Sequence, residues 1–89
     1  MTTLPAAGFK PANADSIESK IDTIVESLSE YISIKNERVR LAFNLYKFLK
    51  GEGDGPEVVL SSAKIRFENI SKVELVTKIN LKLKEASLV

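Results

Sequence analysis

The sequence predicts an α+β fold, in which a long kinked N-terminal helix or helix pair is followed by a C-terminal antiparallel β-hairpin. Three observations carry this expectation. Apolar residues recur at helical spacing from Ile17 to Tyr31 and crowd the stretch from Val39 to Leu49. Every glycine except Gly8 falls in one loop, as Gly51, Gly53 and Gly55. From Val73 to Lys84 apolar and polar residues alternate, with only Val76 breaking the rule, which is the period of a strand. The expected division is an extended N-terminal arm over residues 1–13 and one domain over 14–89. Within that domain, 14–50 is helical, 51–57 is a glycine-rich acidic loop and 58–89 is the hairpin.

The arm contains Pro5, Pro11 and one aromatic, Phe9, which would anchor it on a neighbouring surface. The first helix opens at Asp15 with Glu18 three residues on, a cap and a first-turn acid. Behind them Ile17, Ile21, Ile24, Leu28 and Tyr31 recur at spacings of four, three, four and three, an amphipathic or coiled-coil seam. At Ile32 to Asn36, β-branched residues and Asn weaken the helix, so a bend or break is expected there, with Asn36 as a new cap. Beyond it Val39, Leu41, Ala42, Phe43, Leu45, Tyr46, Phe48 and Leu49 surround most of the helix circumference. Such a helix needs cover on several sides. Gly51 is its natural terminator.

For the C-terminal block, Val73, Leu75, Thr77, Ile79, Leu81 and Leu83 form one face of a strand. Ala63, Ile65 and Phe67 alternate likewise in a partner strand, with the turn at Glu68 to Ser71. A helix competes for residues 72–85, because Ser71 with Glu74 forms a capping box and Leu75, Ile79 and Leu83 share a helical face. That alternative leaves Val73 and Leu81 in water. A two-stranded hairpin is marginal alone, so its apolar face would lie on the helices or its edges would pair with another chain.

Composition narrows the chemistry. The 89 residues carry Lys+Arg 13 against Asp+Glu 12, with no Cys, His or Trp. Hydrophobic residues at 44% beside 28% charged is the balance of a folded soluble chain. A domain this small buries only about two-thirds of its unfolded surface, so company adds to its stability. Without Cys there are no disulfides, thiolate nucleophiles or Cys-based metal sites, and without His the commonest general base and transition-metal ligand are gone. The first dozen residues lack the pattern of a secretory signal, and no stretch approaches the roughly 20 apolar residues of a membrane span. The expected setting is the cytoplasm or the interior of a large assembly, with no membrane.

Charge is segregated along the chain: −3 over residues 1–34, +4 over 35–50, −3 over 51–57 and +3 over 58–89. Blocks of opposite sign suit contacts between copies. The loop acids Glu52, Asp54 and Glu57 are candidate oxygen ligands for Ca²⁺ or Mg²⁺, although the spacing of a calcium loop is missing. Its alternating glycines lack both phosphate-loop spacings. Two catalytic constellations are conceivable, a Ser–Lys dyad from Ser61, Ser62 and Lys64, and the carboxylate pair Asp22 and Glu26. Both sit where neither desolvation nor enclosure is expected. No cofactor is expected and the chain is read as a non-enzyme.

The functional expectation is a structural or assembly subunit that self-associates or docks into a larger complex, a virion or another large machine, through helix and strand-edge surfaces. Phe9, Ile17, Ile21, Ile24, Leu28, Tyr31, Phe43, Tyr46 and Phe48 are its candidate interface anchors. The alternative is a small dimeric nucleic-acid-binding or regulatory protein. It would use a basic sheet face of Lys64, Arg66, Lys78, Lys82 and Lys84, which lacks stacking aromatics.

Overall fold

The computed structural model describes residues 16–89. Four helices follow in order: α1 (Ile17–Glu26), α2 (Lys35–Leu49), α3 (Pro56–Ser62) and α4 (Lys72–Glu85). Among the described residues there is no strand, so the expected α+β fold with a C-terminal hairpin is replaced by an all-helical one. The expected arm, Phe9 included, and the cap at Asp15 lie outside the described residues.

The helical half of the expectation resolves as a pair. Ser16 caps α1, its Oγ accepting the Ser19 N–H at 3.1 Å. The helix ends at Glu26, earlier than the weakness at Ile32 to Asn36 suggests. Residues 27–31 continue as hydrogen-bonded turns, and Leu28 within them and Ile32 just after them are fully buried. Ile34, not Asn36, occupies the cap position of α2. Arg38 fastens this corner, donating from Nη1 to the Ile32 carbonyl at 2.8 Å and from Nε to Glu26 at 3.3 Å. At the far end of α2, Gly51 takes φ +77°. The Gly51 N–H donates to Phe48 O and the Glu52 N–H to Lys47 O. These two bonds close a Schellman motif, which requires the left-handed conformation that glycine adopts at no steric cost.

The C-terminal half follows the helical alternative. Pro56, at the first position of α3, has no N–H to leave unpaired and is preset for helical φ. Of the residues predicted as the first strand, Ala63 and Lys64 form a turn after α3, and residues 65–68 form a connector whose alternation is genuine. Ile65 is buried and Phe67 half-buried, while Lys64, Arg66 and Glu68 face out. Its N–H groups go elsewhere than to a partner strand, Arg66 N–H to Glu37 Oε1 and Glu68 N–H to Tyr31 O.

In α4 the period of two is an accident of two overlapping helical rows. Leu75, Ile79 and Leu83, at i, i+4 and i+8, are fully buried, whereas Val73 is 76% and Leu81 53% exposed. Leaving those two in water forfeits less than leaving a hairpin without a third strand. Lys, Leu and Glu, which dominate this stretch, also favour helix. Ser71 Oγ accepts the Glu74 N–H at 3.1 Å, so the capping residue does what the box predicts. Ser71→Ala is expected to cost about 1 kcal/mol and to lower the thermal midpoint by roughly 4–8 °C, read by circular dichroism. An unchanged midpoint would mean that the cap does not start this helix.

The pairs α1–α2 and α3–α4 pack as two hairpins, and contacts of α1 with α4 and of α2 with α3 join them. One core results, built from Ile21, Ile24 and Val25 of α1, Leu28 and Ile32 of the turn, and Leu41 and Leu45 of α2. Val59 and Leu60 of α3, Ile65 of the connector and the α4 row complete it. Lys20 ties α1 to the C-terminal end of α4, its ammonium donating to Ala86 O at 3.1 Å.

Candidate functional site

Two features stand out from this core, one sealed and one open. The sealed one is Glu37, an acid on the inner row of α2 in line with Leu41 and Leu45 and only 6% exposed. An acid on an apolar row needs a hydrogen-bonding partner. Arg66 supplies it twice. Its backbone N–H donates to Oε1 at 2.7 Å, and its guanidinium reaches Oε2 through Nε at 2.9 Å and Nη2 at 2.8 Å. The guanidinium hydrogen bond above all, then the backbone one, hold the Glu37 carboxyl below the ordinary range against the opposing effect of burial, with Arg40 adding charge nearby. Arg40 itself is bound to the Ala63 carbonyl at 2.8 Å. Every strong contact of Glu37 is therefore within the chain, and it works as a strut between α2 and the connector. A carboxyl shifted in this way marks a functional site only when a substrate can reach it.

The open feature is the outer side of α2. Val39, Phe43 and Tyr46, at i, i+4 and i+7, form a second stripe nearly opposite the Glu37, Leu41, Leu45 row. Val39 is 55% and Phe43 62% exposed, and Tyr46 is half-buried. Lys47 Nζ sits 5.5 Å from the centre of the Phe43 ring, and Lys50 Nζ 5.0 Å from that of Tyr46, so lysine stems partly shield both rings. Beside the stripe runs an open groove of about 360 Å³ between the first two helices, lined by Asp22, Val25 and Glu26 from α1 and by Lys35, Arg38, Val39 and Ala42 from α2. Acidic side chains thus border the stripe on its α1 side, and Arg40 and Lys47 border it on the other.

The structure divides the sequence-derived anchors accordingly. Ile21, Ile24 and Leu28 are spent in the chain's own core, with Tyr31 and Phe48 half-buried against it. Ile17 is exposed at the start of α1, while Phe43 and Tyr46 belong to the outer stripe. Neither Val39, which completes that stripe, nor Glu37 is among the sequence-derived candidates; the four-residue spacings from Val39 to Phe43 and from Glu37 to Leu41 are the signals that mark them.

The expected basic sheet face does not exist, because there is no sheet among the described residues to carry it. Its residues scatter. Lys64 sits in the turn after α3 at φ 56°, Arg66 is held by Glu37, Lys78 and Lys82 share one flank of α4, and Lys84 stands on the other. Lys78 Nζ lies 6.0 Å from the centre of the Tyr31 ring.

Ser61 pairs with Lys72 and not with Lys64. The Lys72 ammonium donates to Ser61 Oγ in a wide, open hollow shared with Glu57 and Val58, which encloses no substrate. Asp22 and Glu26 face solvent beside the α2 groove. Among the described residues, Glu52, Asp54 and Glu57 do not converge into a group able to hold a metal ion. No helix of the described residues is long and apolar enough to cross a membrane.

The class these features define is an all-helical, four-helix domain that leaves apolar side chains uncovered on its outer helix faces, Val39 and Phe43 on α2 and Val73 and Leu81 on α4. No family model, curated protein or solved structure matches the chain significantly.

Proposed function

We propose that this chain is a non-enzymatic assembly subunit, whose role is to join a larger protein complex through helix faces. The observation that carries the reading is the outer stripe of α2. Val39 and Phe43 stay in water although thirteen other apolar residues are buried in the core. Single exposed apolar residues are ordinary, but an aromatic and a valine one turn apart, continued by Tyr46 and edged by charge, have the composition of a docking surface. Strand edges no longer enter the reading, since the residues expected to form them are helical or paired within the chain. Glu37 and Ser61 are engaged in internal or solvent-open contacts, which suits a scaffold better than a reaction centre.

The test is the size at which the chain travels in an extract of its native source, at native abundance. Elution well above its own 9.8 kDa, at fixed stoichiometry with companions or copies, is expected. Elution as a free monomer would overturn the proposal.

A further inference from the structure

We infer that the occupant of the α2 stripe is a second copy of this chain, docked so that α2 of each copy lies across α1 of the other. The inference rests on the assembly reading above and adds the partner and the geometry. It is carried by the distribution of charge around the stripe. On the exposed surface of α1 stand Glu18, Asp22 and Glu26, while the one lysine of that helix, Lys20, is turned to the far side, where it holds Ala86. The outer surface of α2 carries Lys35, Arg40, Lys47 and, at its end, Lys50. The α1–α2 hairpin is thus an acidic helix beside a basic one, with an apolar seam along the basic member.

Two symmetric ways exist to lay one such hairpin face on another with the helices aligned. A twofold axis across the helices sets α1 on α1 and α2 on α2, acid against acid and base against base. A twofold axis along the helices exchanges them, so that each acidic α1 meets a basic α2. Like charges brought together cost association free energy, whereas opposite ones fix register and orientation. Charge therefore selects the second arrangement. Every packed neighbour is antiparallel in either arrangement, as in a four-helix bundle, so the helix dipoles do not choose between them and the choice rests on charge.

Rotation about an axis along the helices preserves height, and the register within the hairpin then predicts the register between copies. Glu26 is level with Arg38, and Asp22 shares the groove with Val39 and Ala42. Continuing that register places Glu18 level with Tyr46 and Lys47. Between copies, Glu26 accordingly faces Lys35 and Glu18 faces Lys47, with Val39 and Phe43 closing the centre.

Sedimentation equilibrium of the purified full chain, up to about 1 mM, tests this. A dimer is expected, weakened by added salt because its bordering charges attract. Phe43→Glu should weaken it by about a hundredfold, and circular dichroism should be unchanged because that ring is exposed. Two charge-reversed variants refine the geometry. Glu18→Lys with Asp22→Lys makes both helices basic, and Lys35→Glu with Lys47→Glu removes the net positive charge from the outer surface of α2 and sets an acid opposite each α1 acid. Each alone should dimerise about tenfold more weakly or worse, and an equimolar mixture should recover a heterodimer.

A dimer strengthened by salt, or indifferent to Phe43→Glu, would overturn the inference. So would a chain that stays monomeric when pure. If the same chain travels in a large complex in its native extract, the assembly reading survives that result; if it travels alone there too, both fall.

Discussion

Ile79→Ala is expected to destabilise the domain by about 2–5 kcal/mol, while Leu81→Ala, two residues on, should change it by no more than about 0.5–1 kcal/mol. The contrast follows from the helical period. Ile79 is fully buried between Leu75 and Leu83 on the row where α4 meets the core, and Leu81 stands more than half exposed on the outside. In a strand both would point to the same face and their truncations would cost alike, because successive side chains alternate across the sheet. The pair of variants thus decides between the two periods by stability alone. Urea unfolding followed by circular dichroism reads it. With a slope near 1 kcal/mol per molar, as for a small domain, the Ile79→Ala midpoint should fall by roughly 2–5 M. Native stability rarely exceeds about 15 kcal/mol and is lower in a chain this short, so that variant sits close to unfolding at ambient temperature. Equal losses at the two positions would refute the helix.

The same two residues show how far the fold was legible in the sequence. Apolar residues at 73, 75, 77, 79, 81 and 83 satisfy a period of two over their whole length, but 75, 79 and 83 also satisfy a helix. Periodicity alone cannot separate the readings. What separates them is the set of groups that receive the backbone hydrogen bonds. Ser71 supplies a cap for α4, and the connector expected to be the partner strand gives its N–H groups to Glu37 and to the Tyr31 carbonyl. Those acceptors lie some thirty residues upstream, beyond the reach of any local pattern. In the N-terminal half the seam Ile21, Ile24, Leu28 was readable because each position has a single period available. Its helix nevertheless stops at Glu26, since Leu28 and Ile32 are buried equally well from hydrogen-bonded turns.

The candidate site was half legible for a related reason. Crowding of apolar residues around α2 signals that the helix has more greasy surface than one core can cover. On that helix the expected anchors are Phe43, Tyr46 and Phe48, of which Phe48 is instead half-buried against the core. Which of the crowded residues face out depends on where α1 and α3 lie. The sequence leaves open whether Val39 or Leu41 faces the core, and burial of Leu41 settles it. The acidic border could not be read at all from one helix. Asp22 and Glu26 become neighbours of the α2 stripe only through the turn that Arg38 fastens.

Removing the Glu37 carboxylate is the second large effect expected, and pH gives it a signature. Pairing with Arg66 favours the ionised form, so the carboxyl titrates in the folded chain below its ordinary value of 4.5. A group with a depressed folded pKa binds fewer protons folded than unfolded. Its stabilisation is complete above about pH 4.5 and drains away as the pH falls through the folded value. The native chain should accordingly lose stability on acidification through that window. In Glu37→Gln the amide oxygen still accepts the Arg66 N–H, but the charge is gone. The variant should be less stable at neutral pH, and its loss of stability on acidification should be shallower. Glu37→Ala should be worse than Gln at neutral pH, because the Arg66 N–H then has no acceptor on α2 and the connector loses its hold. Urea midpoints measured between about pH 7 and about pH 3 distinguish these outcomes. An acid profile that is the same in the native chain and in Glu37→Gln would mean that the ion pair does not form, and with it would go the strut that sets the connector against α2.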